Sequence, residues 1–572
     1  MASYFLKKTK NKKGLYLQIY KAEYNTATKN NSQSSYKALG YFDELLKQGI
    51  KDPIAHFQEE VDELNRQLRM EKQNNVPQIG TIKPTSLLGY FPLKKLLKKL
   101  NIEDVINNAL TKKNLKNNLY NVFSALVYAR AVCPVSKRQT YFNVIPRLMN
   151  NDYNFSYKQI LEYGKILGHE YKKVMEATYS AISNLFKTKT DYVYFDCTNF
   201  YFEIDKEDKT RRKGPSKEHR TDPIVGMGLL LDSNMIPMSM TIYPGNESEK
   251  SKIREIIEEQ RAKGHIFDKT IEVADKGLNC ITNIMAAQAR GDGYIFSKSI
   301  KGSKKEDREE LMEGFDWENH TNMSNNGWIF VIKDDHVQYC YKEITKDWEY
   351  DVTKADGKKT TTTIYEKRII TYNPKLATKQ KNEITKMVDK ALYNSKSQLK
   401  KEHYGESGKY MVFVDENNKA ITPTINQAAI DKDLMCAGFN VLITSETEVP
   451  AKLIYEKYHE LWRIEETFRT LKSQLDARPV FVQTLDSIKG HFLINFITVQ
   501  LIRCLQFFIL NDKFGTEEIF TFIKDLEIEK KGDRTFENHS VSSEVLNEIA
   551  KKYSIPLSNL YLKAIDVSDM IG

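Results

Sequence analysis

The sequence predicts a multidomain α/β protein organised around a mixed β-sheet, and three observations lead there. At 572 residues the chain exceeds what one hydrophobic core organises. At Asp191 the helical periodicity of residues 86–187 gives way to three strand-like runs in series, YVYFDCTNFYFE, IVGMGLLLDS and IPMSMTIYP. Two more, TIEVADKG and DGYIFSKSI, follow with amphipathic helices among them. Hairpin-linked strands followed by strand–helix alternation give a mixed sheet. The pattern then lapses near Lys301 and resumes at AGFNVLITS, which frames an insertion.

Residues 1–80 read as a β-rich arm plus a helix. GLYLQIYKAEY and SSYKALGYF alternate loosely, and IAHFQEEVDELNRQLRMEKQ has helical period before a polar linker that ends near Pro84. Residues 81–188 form a helical region, with LLGYFPLKKLLKKL, LYNVFSALVYARAV and YKKVMEATYSAISNLF interrupted at Pro134 and Pro146. Residues 189–300 are the first part of the sheet core. Residues 301–436 are a largely β insertion carrying WIFVIKDD, VQYCYKEI and TTTIYEKRIITY. Residues 437–514 return to the core and supply a long helix after Val449, and 515–572 read as a short helical tail.

Composition narrows the function classes. Hydrophobic residues at 41% and aromatics at 11% describe a folded chain. A net charge of +10 suits a polyanionic partner, most simply nucleic acid; the plainer alternative is a lysine-rich protein without one. The six cysteines have neither zinc spacing nor the density of a disulfide framework, which suits a reduced cytoplasm. The start, MASYFLKKTKNKK, has no apolar signal core. HFLINFITVQLIRCLQFFIL is interrupted by Asn495, Gln500, Arg503 and Gln506 and reads as a buried helix rather than a membrane span. No glycine-rich loop ends in GK[ST], so no nucleotide cofactor is expected.

Three acids stand out by place. Asp196 lies inside an apolar strand, Asp275 ends another in IEVADKG, and Glu465 sits in YHELWRIEETFRTLKSQL. Carboxylates at strand ends and on a neighbouring helix can converge. Converging carboxylates repel unless a cation lies between them, and Mg²⁺ or Mn²⁺ suits oxygen ligands. Two such ions activate a nucleophilic oxygen and stabilise a leaving one in phosphoryl transfer. The alternative for each acid is a lone ion-pair partner or a cap. Tyr458, Glu465 and Lys472 are seven residues apart and so stay on one helix face, drifting only about 20° per step. Arg463, Arg469 and Lys472 surround the acid with positive charge, and a core helix with a solvated charged face would look similar. Glu466, three residues after Arg463, is a rival to Glu465, but Glu465 keeps the spacing to Lys472.

YFDCTNFYFE, VADKG and the Y-x6-E-x6-K of YHELWRIEETFRTLK resemble the three catalytic blocks of DDE transposases of the bacterial IS4 superfamily. FRTLKSQLDARPVFV, GPSKEHRTDPIVGMGLLLD and IPMSMTIYPGNESE are most similar to the IS1634 group, over roughly Tyr192 to His491. The resemblance implies an RNase H-like core interrupted by the β insertion, and Asp196, Asp275 and Glu465 as a catalytic triad holding two Mg²⁺ ions, with Mn²⁺ able to substitute. Tyr458 and Lys472 match the tyrosine and lysine of the family's Y-R-E-K signature and would contact DNA. The arginine position holds Leu461, and His459 and Arg463 are candidate replacements.

The implied activity is cut-and-paste transposition: binding of terminal inverted repeats, metal-dependent end cleavage, and joining of 3′-OH ends to target DNA, with a hairpin on the way to double-strand release. The partners are double-stranded DNA and a second copy in the synaptic complex, at the bacterial nucleoid in the cytoplasm. The alternatives are a catalytically silent DNA-binding descendant and an RNase H-like nuclease that does not join. Ser216, Lys217, His219 and Arg220 in GPSKEHR, Lys137 and Arg138, and Arg463 and Arg469 are the further candidates for DNA contact; the GPSKEHR loop reads equally as a solvated turn. Three other residues have two readings each. Asn246 caps the next helix or touches the scissile phosphate. Thr198 shares the face of Asp196 and supports the site or a backbone group. Trp328 is a core residue or stacks on an unstacked base.

Overall fold

The computed structural model describes residues 2–25, 30–74, 85–110, 116–149, 153–215, 217, 221–316, 327–334, 336–353, 357–396, 401–414 and 420–572. The chain divides into two compact units, Met1–Pro84 and Thr85–Gly572.

The first unit is a three-stranded antiparallel sheet of β1 (Ala2–Asn11), β2 (Gly14–Asn25) and β3 (Asn30–Tyr41), followed by α1 (Phe42–Lys47) and α2 (Pro53–Asn74). Period-two alternation along β2 sends Leu17 and Ile19 inward, and Leu17 packs with Leu45 and Phe57 from the helices. Asn65 of α2 ties the helix to β1 by accepting from the Tyr4 N–H at 2.8 Å and donating to the Tyr4 carbonyl at 2.9 Å.

The second unit begins with β4 (Ser86–Leu87) and the helices α3 (Phe91–Lys99), α4 (Ile102–Ala109), α5 (Lys116–Val132), α6 (Lys137–Gln139), α7 (Tyr157–His169) and α8 (Tyr171–Phe186). The sheet then opens with β5 (Tyr192–Tyr201), β6 (Ile224–Leu231) and β7 (Pro237–Pro244), an antiparallel series. Next come α9 (Lys252–Ala262), β8 (Ile271–Ala274), α10 (Ile281–Ala289) and β9 (Gly293–Lys298); β8 runs parallel to both β5 and β9. Every residue of β6 is buried, as an apolar strand covered on both faces requires.

After α11 (Lys305–Met312) come β10 (Ile329–Lys333), β11 (His336–Thr353), β12 (Lys359–Tyr372), α12 (Pro374–Lys396), β13 (Met411–Val414), β14 (Ala420–Ile425), α13 (Gln427–Met435) and β15 (Phe439–Thr444). β15 pairs with β9 and β12 with β15, so β10–β12 extend the same sheet, in the order β10-β11-β12-β15-β9-β8-β5-β6-β7.

α14 (Ala451–His459) packs on β8 and β9, and α15 (Trp462–Arg469) on β5. α16 (Leu485–Cys504) then runs through the interior against α5, α7 and α8. Gly168 and Gly490 let α7 and α16 touch, since a Cβ on either would meet the other helix's backbone. Among the described residues Leu485–Ile509 is the one helix apolar and long enough to cross a membrane, and 83% of its apolar window is buried within the protein.

The end of the chain differs from a purely helical tail. Between α17 (Thr516–Asp525), α18 (Glu544–Tyr553) and α19 (Ala564–Ile571) lie β16 (Glu527–Lys530), β17 (Thr535–Asn538) and β18 (Tyr561–Lys563), which join β4 in a four-stranded sheet. Strands of three or four residues are too short to show a period-two pattern.

Candidate active site

Asp196 sits in the middle of β5, on the face shared by Tyr194, Thr198 and Phe200. Its Oδ1 accepts from the Cys197 N–H at 2.7 Å and lies 3.8 Å from the Lys217 ammonium. Burial pushes the Asp196 carboxyl up to about 6; Lys217 and the backbone bond oppose that rise, while Glu249 and Asp275 add to it. Lys217 also donates to the Cys197 carbonyl and stands 3.8 Å from Glu249.

Asp275 follows β8 directly. The parallel register pairs Tyr194 with Val273 and Phe195 with Ala274, so the next residues on the two strands are Asp196 and Asp275. The Tyr458 hydroxyl donates to Asp275 Oδ1 at 3.0 Å. Burial and the nearby charges of Asp275 and Glu465 raise the Tyr458 phenol.

The seven-residue spacing suggests one continuous helix from Tyr458 to Lys472, but the chain breaks between α14 and α15. Arg463 N–H reaches Glu460 O at 3.0 Å and Ile464 N–H reaches Leu461 O at 3.0 Å, i→i−3 bonds that tighten the turn. A π-helical turn at Thr470–Gln474 then widens the winding. Thr467 and Thr470 donate their hydroxyls to the carbonyls of Arg463 and Glu466, a back-bonding that bends helices.

Two anchors align this segment with β5. Tyr194 donates to Glu460, and Lys472 Nζ lies 5.4 Å from the centre of the Phe200 ring. Six strand residues span about 20 Å, and twelve helical residues about 18 Å. Asp196, two residues beyond the first anchor, and Glu465, five beyond it, each lie about 7 Å along. Glu465 is exposed, and its charge acts on the Tyr458 phenol that bonds Asp275.

Glu466 points elsewhere. It accepts from Arg503 at 3.0 Å and from the Thr516 hydroxyl at 2.8 Å, and Arg463 lies within 3.5 Å. Burial would raise its carboxyl, but these partners, Arg503 foremost, hold it below the usual value. The rival registration thus belongs to a structural ion pair.

The basic candidates divide. Arg469 is exposed and Lys472 half-buried beside β5. Arg463 is bound to Asp512 at 2.5 Å and lies against the Trp462 ring, away from Glu465. Leu461 is 8% exposed. His459 lies tilted against the Tyr455 ring and lines a cleft with Asp275, Lys276, Lys298 and Tyr458, which leaves it the candidate of the two beside Asp275. Lys137 is half-buried, and Arg138 is exposed over Phe142. Lys217 is at Asp196, while Ser216, His219 and Arg220 lie outside the described residues.

Trp328 is 3% exposed, donates to the Glu313 carbonyl at 3.1 Å and packs against Phe315, a core role. Ser248, not Asn246, caps the turn after β7. Thr198 is buried on the Asp196 face. The sequence reading missed Glu249, one of three acids in NESEKSKIRE with nothing local to single it out, and Lys298, which burial lowers to about 8 beside the cleft.

Among the described residues only Glu529, Glu537 and His539 bring three ligand atoms within 4.8 Å of one another; Asp196, Asp275 and Glu465 are spaced more widely. Lys531 already stands 2.8 Å from Glu529 and 3.0 Å from Glu537. That group is a satisfied ion-pair cluster. The candidate acids are different: Asp196 is half-buried with Lys217 3.8 Å away, and Asp275 follows the strand position paired beside it. Their all-oxygen donor set suits a hard divalent cation.

No curated protein matches the chain. Among solved structures it is similar to a piggyBac transposase in a synaptic complex with hairpin DNA, at a TM-score of 0.35 and 8% identity over 77% of each chain. The family model described as the transposase DDE domain matches residues 202–501, a span that contains Asp275 and Glu465 and begins just after β5. With just over half of its length matched, the chain belongs to the transposase DDE domain family.

Proposed function

We propose that the protein is a cut-and-paste DNA transposase of the IS4 superfamily, IS1634 group, with an RNase H-like core. The observation that carries this is that Asp196 and Asp275 follow paired positions on parallel strands, with Glu465 on α15, which packs on β5. The order of three antiparallel strands followed by two parallel ones supports the RNase H-like reading.

In this reading Asp196, Asp275 and Glu465 hold two Mg²⁺ ions, with Mn²⁺ able to substitute. Bound there, the ions lower the pKa of a water and stabilise charge on the leaving oxygen. The chain's own residues do the rest. Tyr458 fixes one rotamer of Asp275 by its hydrogen bond. Lys217 balances Asp196 while the carboxylates are otherwise unpaired. Arg469 and Lys472 present positive charge to the backbone of the bound end.

A water oxygen attacks the phosphorus at the transposon boundary and the 3′-oxygen leaves. The freed 3′-OH then attacks a target phosphodiester, displacing the target's 3′-oxygen. No nucleotide is consumed, because one phosphodiester replaces another. The partners are the terminal inverted repeats, target DNA and a second copy in the synapse.

The test is cleavage and joining of DNA carrying the sequences that flank the reading frame, with Mg²⁺ or Mn²⁺. Wild type is expected to cut and join, and Asp196→Ala, Asp275→Ala and Glu465→Ala to do neither. Full activity in all three variants would sink the proposal. Binding without metal-dependent cutting identifies a silent descendant, and cutting without joining a simple nuclease.

A further inference from the structure

Behind the last turn of the Glu465 helix, the segment from Asp476 to Val482 turns back and closes a small pocket with Arg130, Lys137 and His491. Its parts come from separate elements. Arg130 lies near the end of α5 and is 5% exposed. Lys137 opens α6, and His491 projects from the buried helix α16. Arg130 Nη1 donates to the Leu475 carbonyl at 3.3 Å, and His491 Nε2 donates to the Ala477 carbonyl at 3.0 Å. Both acceptors belong to the few residues that end the catalytic helix.

Charge in this pocket is unbalanced. Burial lowers Arg130 to about 10, with the nearby Asp476 working against that shift, so the guanidinium stays charged at neutral pH. Burial and then Arg130 push Lys137 well below its ordinary value, and burial with both cations does the same to His491. Asp476, the one carboxylate in the lining, is exposed. A guanidinium has five donors in a planar fork and an ammonium three, with no acceptors between them. Donors of one sign, partly withdrawn from water in a concavity, select a compact oxyanion, and the forked guanidinium matches a tetrahedral phosphate.

We propose that Arg130 and Lys137, in the pocket that His491 helps line, bind one backbone phosphate of DNA. Resting on the transposase reading above, that phosphate sets the register of the duplex against Glu465, because Arg130 holds the Leu475 carbonyl and His491, lining the same pocket, the Ala477 carbonyl. Arg138, exposed over Phe142, is not part of it.

The test uses the full chain in EDTA with a 40-base-pair duplex. Acylation of Lys137 is read by peptide mass spectrometry with and without the duplex, and binding is measured against KCl concentration. Protection of Lys137 by the duplex is expected. Lys137→Gln should flatten the slope of log K against log [KCl] by about 0.9, the value of one phosphate contact, and Lys137→Arg should restore it. Labelling of wild type does not depend on any variant folding. Undiminished labelling in the presence of saturating duplex overturns the proposal. So does protection by 10 mM inorganic phosphate but not by duplex, which would assign the pocket to the free ion. No divalent cation is present, so a chain that never cuts DNA can pass this test, and one that cuts can fail it.

Discussion

Tyr458 and Asp275, 183 positions apart in sequence, are joined by a 3.0 Å hydrogen bond from phenol to carboxylate. The bond fixes an exposed acid that follows a four-residue strand and precedes Lys276 and Gly277 in an open turn. Tyr458→Phe keeps the ring and removes the donor. A hydrogen bond to a charged group contributes about 1.5–3 kcal/mol, so strand cleavage should fall roughly ten- to hundredfold. The melting temperature should stay within a few degrees of wild type. An unchanged cleavage rate would show that Asp275 holds its orientation without help.

Asp196 gives the folded chain a pH dependence of definite sign. Its carboxyl rises from 3.8 to about 6 on folding, chiefly through burial. Between those values the folded state binds more protons than the unfolded one, so this group's contribution to stability falls as pH rises from about 4 to about 6. At neutral pH the cost is on the order of 1–3 kcal/mol, the upper figure being the full shift and the lower allowing for residual solvent contact. Asp196→Asn should therefore unfold at higher temperature than wild type at pH 7 without divalent cations, and the gap should close at pH 4. Mn²⁺ should stabilise wild type and not the variant. A variant no more stable than wild type at pH 7 contradicts the burial cost.

The sheet was legible because its strands announce themselves: an apolar run such as IVGMGLLL is buried throughout. Asp196 and Asp275 were legible for the same reason, as charges that interrupt or end such runs. The bend in the Tyr458–Lys472 segment was not. It depends on threonine hydroxyls bonding to backbone carbonyls and on the Tyr194–Glu460 contact, which joins residues 266 apart. Glu249 and the Arg130–His491 pocket were hidden likewise, since their chemistry arises only where distant segments meet.

Lys217 stands 3.8 Å from both Asp196 and Glu249, where its ammonium offsets the charge of the two acids. A divalent cation binding Asp196 competes with it. In Lys217→Gln that competition is gone, and the Mn²⁺ concentration giving half of the maximal thermal stabilisation should fall about three- to tenfold. A higher half-saturating concentration in the variant would show instead that Lys217 assists metal binding.

Glu465 and Glu466 are neighbours with opposite assignments, and substitution should separate them cleanly. Glu466 pairs with Arg503, whose side chain is fully buried, at 3.0 Å. Removing one partner of a buried ion pair costs about 3–5 kcal/mol, because the other charge is left uncompensated. Arg503 keeps Gln506 at 2.6 Å and the hydroxyls of Thr467 and Thr516, all neutral acceptors. Glu466→Ala should thus lower the urea midpoint strongly, while the molecules that remain folded still cleave DNA. Glu465 is exposed and makes no demand on the core. Glu465→Ala should change stability by less than about 0.5 kcal/mol and reduce cleavage by about a hundred- to a thousandfold or more. The reverse pattern, with Glu466 essential to cutting in well-folded protein, would move the third acid of the site by one residue and turn the helix by about 100° relative to the sheet.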